Sequence, residues 1–209
     1  GEWSVSYAFN SQLAPVMATE PSLHSLRSRA TVTWSFQEEA QTYQVWIDDP
    51  APGVTPSSSI VSVNSKSISV DMAMVGRYRV WVRAIFAGGA VGAWSAPAVL
   101  IADGAPGGLN VNSADVTRPE LRWQSVPGAT RYDVRVTLKE TNAVVMTAVK
   151  NSTSTPVTSH KLVDALPIGN YQFSVRAIAF DGTAGSWSSS QNYNSTLAPV
   201  LKTVQPGLE

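Results

Sequence analysis

The chain has 209 residues, 44% of them hydrophobic, which is enough for one large or two ordinary domains with cores of their own. Its 15 basic and 15 acidic side chains cancel, so no net field draws in nucleic acid or an anionic membrane. The absence of cysteine excludes disulfide staples, thiolate catalysis and Cys-ligated zinc, and no apolar run approaches the ~20 residues of a membrane helix.

The predicted elements are strands, because apolar residues alternate with period two and nowhere recur at helical spacing. In order, the first strand of the chain's main body falls near Val16 to Ser22 and is poorly defined by its pattern. Ala30 to Trp34 follows, with Val32 and Trp34 on one face and threonines on the other. Tyr43, Val45 and Ile47 then point inward against Gln44, Trp46 and Asp48; Ile68, Val70 and Met72 form a further strand, and Tyr78, Val80, Val82 and Ala84 another. After a second ill-defined start near Leu109 to Val116, Leu121 and Trp123 repeat the pattern of Val32 and Trp34, and Tyr132, Val134 and Val136 repeat that of Tyr43, Val45 and Ile47. Pro50 to Gly53, Gly88-Gly89, Pro127-Gly128 and Asp181-Gly182 punctuate these segments as turns.

These elements belong to a repeat. Gly-x-Trp-Ser occurs at Gly1, Gly92 and Gly185, and from Trp3 to Pro15, Trp94 to Pro106 and Trp187 to Pro199 the interval is 12 residues each time, with alanine before each proline. The steps between those tryptophans are 91 and 93 residues, the size of a small sandwich domain. Trp34 precedes Tyr43 by nine residues and Trp123 precedes Tyr132 by nine, while Arg83 to Trp94 and Arg176 to Trp187 are both eleven. About seven short strands per unit make an all-β chain of two tandem two-sheet sandwiches. The boundaries read as 1–13, the last strand of a preceding module; 14–104 and 105–197, two full modules; and 198–209, the first strand of a following one with a possible tag scar. Ala-Pro at each joint leaves short, stiff linkers.

These landmarks resemble the fibronectin type III family, an immunoglobulin-like sandwich. Trp34 and Trp123 stand where its second-strand tryptophan does, Tyr43 and Tyr132 where its third-strand aromatic does. Leu166 to Tyr171 looks like its tyrosine corner and Val75 to Tyr78 a looser version, so the resemblance implies buried Tyr78 and Tyr171 rings whose hydroxyls reach nearby backbone. It also implies a non-enzymatic spacer or interaction scaffold of an extracellular or cell-surface protein, with neighbouring modules of the same polypeptide and protein or carbohydrate ligands as partners.

The outward face of the first unit is the candidate site. Trp46, Arg79, Trp81 and Arg83 alternate away from the core, and large exposed aromatics demand an explanation. One reading is a platform on which sugar rings or a partner protein stack. The favoured reading is a cation–π ladder, with Arg83 between Trp81 and Trp94 and Arg176 on Trp187, because the Arg-to-Trp spacing persists in both units. Trp46 and Trp81 become Arg135 and Ser174 in the second unit, so a platform would belong to the first alone. Glu38-Glu39 and Asp48-Asp49 are too sparse for a calcium cage and read as solvated turns. His24 and His160 occupy dissimilar places, and no catalytic set, metal site or cofactor site is expected. Asn151-Ser-Thr153 and Asn194-Ser-Thr196 match the glycan acceptor pattern, which matters only in a eukaryotic secretory pathway.

Overall fold

The computed structural model describes residues 13–18, 20–50, 59–112, 114–151 and 157–196, which form two units meeting in sequence at Asp103 and Gly104. The expectations for 1–12, for 197–209 and for the turn at Ala51 to Gly53 lie outside the described residues.

In the first unit the strands are β1 (Ser22–Ser25), β2 (Arg29–Thr33), β3 (Ala40–Asp48), β4 (Ser59–Val63), β5 (Ser67–Asp71), β6 (Gly76–Phe86) and β7 (Ala98–Asp103). In the second they are β8 (Asn110–Asn112), β9 (Glu120–Arg122), β10 (Ala129–Leu138), β11 (Ala143–Asn151), β12 (Ser159–Lys161), β13 (Gly169–Ala179), β14 (Ala184–Trp187) and β15 (Gln191–Ser195). One sheet of the first unit runs β1-β7-β6-β3-β4 and faces the pair β2-β5; the second unit sets β11-β10-β13, with β14 and β15 both on β13, against β12-β9-β8. Each unit is thus a two-sheet sandwich, and β14 with β15 is one edge path interrupted between Trp187 and Gln191.

The alternation of apolar residues puts one face of each strand into the core. Val45, Met72, Val80 and Val82 are fully buried in the first unit, as are Leu121, Val136, Phe173 and Val175 in the second. Trp34 meets Tyr43 edge-on at 5.6 Å, and Trp123 meets Tyr132 at 5.4 Å, so the pair separated by nine residues makes the same inter-sheet contact twice. Such pairs contribute about 0.5–1.5 kcal/mol beyond burial. Register is pinned by a bulge at the start of the same strand in both units: Gln41 is the extra residue between Ala40 and Thr42 opposite β6, and Thr130 between Ala129 and Arg131 opposite β13.

A ring that fills the core must still satisfy its hydroxyl. The Gln37 amide donates to Tyr43 Oη at 2.9 Å and the Val126 amide to Tyr132 Oη at 2.8 Å, each from six residues upstream. At the corner leading into β6, Tyr78 donates to the Met74 carbonyl at 3.2 Å and accepts from its amide at 3.0 Å; Tyr171 donates to the Pro167 carbonyl at 3.1 Å. The turns bring left-handed glycines: Gly88 and Gly89 have φ of 72° and 80° in a one-turn 3-10 segment after β6, and Gly182 has φ of 84° between β13 and β14.

The two poorly patterned starts differ from each other. In the first unit Met17 bridges Trp34, and the chain then crosses to pair β1 in parallel with β7, Ser22 beside Leu100 through Ser25 beside Asp103. In the second, β8 stays on the other sheet, antiparallel to β9. The strand expected over Val16 to Ser22 is therefore a single bridge followed by a crossover, and the ordered strand begins where the prediction stopped.

Replacing Tyr132 with phenylalanine strands the buried Val126 amide, and an expected loss of about 1–3 kcal/mol in urea unfolding measures that donor. The part-buried Tyr43 equivalent should lose less. Burial raises the phenol pKa of Tyr78, Tyr132, Tyr171 and Tyr193, with nearby Glu140 adding to Tyr171 and Asp115 to Tyr193. The fold therefore favours the neutral rings, a contribution complete below the ordinary value of about 10 and lost as pH rises through the raised folded values. Phenolate absorbance should stay below that of the unfolded chain just above pH ~10, and stability should fall across the same interval.

Candidate functional site

The register of β3 with β6 sets the outward face of the first unit in three rows. Gln44 stands opposite Arg83, Trp46 opposite Trp81, and Asp48 opposite Arg79. Each row makes a contact. Gln44 Oε1 accepts from Arg83 Nε at 2.9 Å and Nη2 at 2.7 Å; the two indoles stack at 4.6 Å with planes 25° apart; Arg79 Nη1 lies 3.6 Å from Asp48 Oδ2. Trp94 closes the face with its ring beneath the Arg83 guanidinium at 4.5 Å and its edge toward Trp46 at 6.2 Å. All three tryptophans are half-buried.

The second unit uses the same positions with other chemistry. Asp133 stands opposite Arg176 and Arg135 opposite Ser174. Arg176 Nη2 is 2.9 Å from Asp133 Oδ2, and Arg135 Nε donates to Ser174 Oγ at 3.2 Å. Both guanidiniums pack on Trp187, Arg135 at 4.2 Å and Arg176 at 4.7 Å from the ring centre. A neutral amide anchors the arginine in one unit and a carboxylate in the other, so the motif is kept while its charge changes.

The sequence places Arg83 between Trp81 and Trp94. In the structure Arg83 lies over Trp94, while the Trp81 ring is taken by Trp46, its direct cross-strand neighbour. The reason is register: a residue opposite is closer than one two positions along the same strand, and Gln44 draws the guanidinium toward β3. Arg176 packs on Trp187 as the spacing suggests, and Arg135 joins it there, a partner the spacing does not reveal.

The serines that follow Trp94 and Trp187 carry a role that the recurrence marks without explaining. Ser95 is 5% exposed and Ser188 is 7%. The Val82 amide donates to Ser95 Oγ at 3.0 Å and the Ser95 amide to the Val82 carbonyl at 2.8 Å; Val175 and Ser188 repeat both bonds at 3.1 and 2.8 Å. The hydroxyl stands in for a strand partner where the edge path breaks, so the Val82 and Val175 amides are not left bare. Ser95 Oγ also donates to Met17 Sδ at 2.9 Å, tying the crossover segment to this junction.

Among the described residues, no group of three or more His, Cys, Asp or Glu side chains could hold a metal ion, and no helix is long and apolar enough to cross a membrane. His24 exchanges a hydrogen bond with Ser22 Oγ at 2.8 Å, His160 is buried, and Glu39 sits in a turn with φ of 64°. A cleft of about 120 Å³ in the first unit opens between β2 and β7, lined by Glu20, Thr31, Thr33 and Leu100, and it holds none of the candidate residues.

A double-mutant cycle on Arg176→Ala and Trp187→Ala should return a coupling of about 0.5–2 kcal/mol. Ser188→Ala should cost about 1–3 kcal/mol, because it leaves the Val175 amide buried without its acceptor. Denaturant unfolding of the four proteins and of the serine variant measures both.

No family model matches the chain and no curated protein matches it. Solved structures do. A two-domain fibronectin type III segment of chicken tenascin is 13% identical, with 86% of this chain and 98% of that chain covered and a TM-score of 0.65. The FN1-FN3 domains of chicken CNTN1 are 18% identical over 87% of this chain at a TM-score of 0.39, and this chain spans 66% of that segment's length. The alpha chain of the chicken interferon gamma receptor is 14% identical over 89% of this chain and 100% of that chain, at a TM-score of 0.44. With paired tyrosine hydroxyl anchors, two facing sheets per unit and the tenascin likeness, each unit of this chain is a fibronectin type III-like β-sandwich.

Proposed function

We propose that the chain is a non-enzymatic pair of modules serving as spacer and interaction scaffold in a longer extracellular or cell-surface protein. The observation that carries this reading is how the outward rings are used. Trp46 and Trp81 face each other at 4.6 Å, Trp94 and Trp187 face arginines, and all four rings are half-buried, so each ring has a partner within its own sheet. A sugar platform needs a ring face open to solvent. A ladder that stiffens a sheet needs what is present: hydrogen bond, stack and ion pair in successive rows on two neighbouring strands of the first unit, and an ion pair and a hydrogen bond in two rows of the second.

The units 14–104 and 105–197, with Ala-Pro at their joints, set the spacing of whatever lies on either side. Position along a polypeptide is then the output, and sandwich stability is the property that maintains it.

A glycan and polysaccharide binding screen on the chain and on a Trp46→Ala/Trp81→Ala variant, with a thermal melt of each, separates the two uses of the rings. The scaffold reading expects no glycan retained by either protein and a melting temperature lowered in the variant, reflecting about 2 kcal/mol of lost burial per ring. Glycan binding by the parent that disappears in a variant with an unchanged melt would make the first unit a carbohydrate-binding module instead.

A further inference from the structure

The outer edge of β2 is open: β5 lies on one side, and no described strand on the other. At the two ends of this pairing the Trp34 amide donates to the Lys66 carbonyl and the Met72 amide to the Ser28 carbonyl, so the even-numbered residues bond toward β5. Arg29, Thr31 and Thr33 therefore turn their N–H and C=O groups the other way, toward the open side. Beside that edge lies the cleft of about 120 Å³, lined by Val32, Ala98 and Leu100 from the two facing sheets and by the exposed Glu20.

The second unit shows what belongs at this place. There β8 covers the equivalent edge of β9, with Val111 opposite Leu121, and it also approaches β15, the counterpart of β7. Leu121 is the counterpart of Val32, so the cleft takes the position in the first unit that Val111 fills in the second. Both chains start toward that position alike. Met17 bridges Trp34, and the β8 register continued by one residue sets Leu109 beside Trp123; both side chains are 8% exposed. Two residues further on, the first unit has Thr19 where the second has Val111, and a hydroxyl entering an apolar gap is penalised. The first unit's chain pairs instead with β7 as β1, which leaves the β2 edge uncovered.

We propose that this edge and its cleft are a docking site for an extended peptide segment of a partner protein, which adds antiparallel to β2 with an aliphatic side chain opposite Val32. Outward backbone groups of Thr31 and Arg29 supply the hydrogen bonds, and the cleft supplies the selection. An engineered apolar cavity of about 150 Å³ holds one benzene, so this smaller volume takes a single valine-sized side chain. Glu20 makes no ion pair among the described residues, and a basic residue next to the aliphatic one complements it. The site gives the interaction scaffold a class of partner and rests on that reading. It uses β2 and not the face of β3 and β6, so peptide binding here and glycan binding there can each fail alone.

Titration of the whole chain with a capped Thr-Val-Lys-Ala-Thr peptide, followed in nitrogen–proton correlation spectra, tests this. The expected result is saturable amide shifts over Arg29 to Thr33 and Ala98 to Leu100, none over β9, and half-saturation on the order of 1 mM for so small a contact. The same peptide with aspartate in place of valine should bind at least ~10-fold more weakly, because its carboxylate would be buried unpaired. Thr31→Pro removes an outward N–H without taking a bond from β5, and should abolish the shifts while the rest of the spectrum is kept. If that variant unfolds, Glu20→Lys at the exposed rim decides, with an expected loss of about 3-fold. No saturable shift, equal binding of the aspartate peptide, shifts centred on β11, or binding unaltered by whichever variant keeps its fold would overturn the proposal.

Discussion

The pairing of β3 with β6, and of β10 with β13, is the constraint on which both sandwiches rest. Because side chains alternate across a strand, one register decides two surfaces together. In the first unit it sends Tyr43 and Val45 into the core while it sets Gln44, Trp46 and Asp48 against Arg83, Trp81 and Arg79. A slip by one residue would put tryptophans inside and valines outside, and would separate every ladder contact. The bulge at Gln41 or Thr130 and the two tyrosine anchors are the devices that hold this register at its ends.

The core was readable from the sequence because burial on one face writes itself as period two, and the repeat supplied a second reading of each strand. Trp34 with Tyr43 and Trp123 with Tyr132 are legible for that reason. The outward face was readable only as a direction. That Trp46 and Trp81 both leave the core follows from alternation; that they stack on each other depends on which residues stand opposite across two strands, and chain order does not state it. Arg135 shows the same limit. It replaces Trp46 in the repeat, yet it reaches the Trp187 ring that Arg176 also uses, a convergence that appears only once the strands are laid side by side.

The serines after Trp94 and Trp187 are a different case, since recurrence marked them and chemistry did not explain them. A hydroxyl that substitutes for a strand's hydrogen-bonding partner has no periodic signature. The first strands were obscure for a simpler physical reason: Ser22 to Ser25 is short, its Leu23 is 69% exposed, and its neighbour is β7, almost eighty residues away. Nothing in a four-residue segment with little burial specifies a partner at that distance.

That one difference between the units changes how each would carry a mechanical load. In the first, the entering strand β1 and the leaving strand β7 lie parallel and bonded over four pairs, Ser22 with Leu100 to Ser25 with Asp103. Tension between the two ends drags these strands past each other and stresses all four pairs at once, so they resist in shear. In the second, β8 is bonded to β9 and β15 to β13, with no ladder between the entering and leaving strands among the described residues. Tension there crosses from sheet to sheet through non-directional apolar packing and single bonds such as that from Tyr193 Oη to the Val116 carbonyl, with no ladder to load at once. Two sandwiches built from one repeat would therefore give way under force in different manners, the first abruptly as a clamp and the second by sliding.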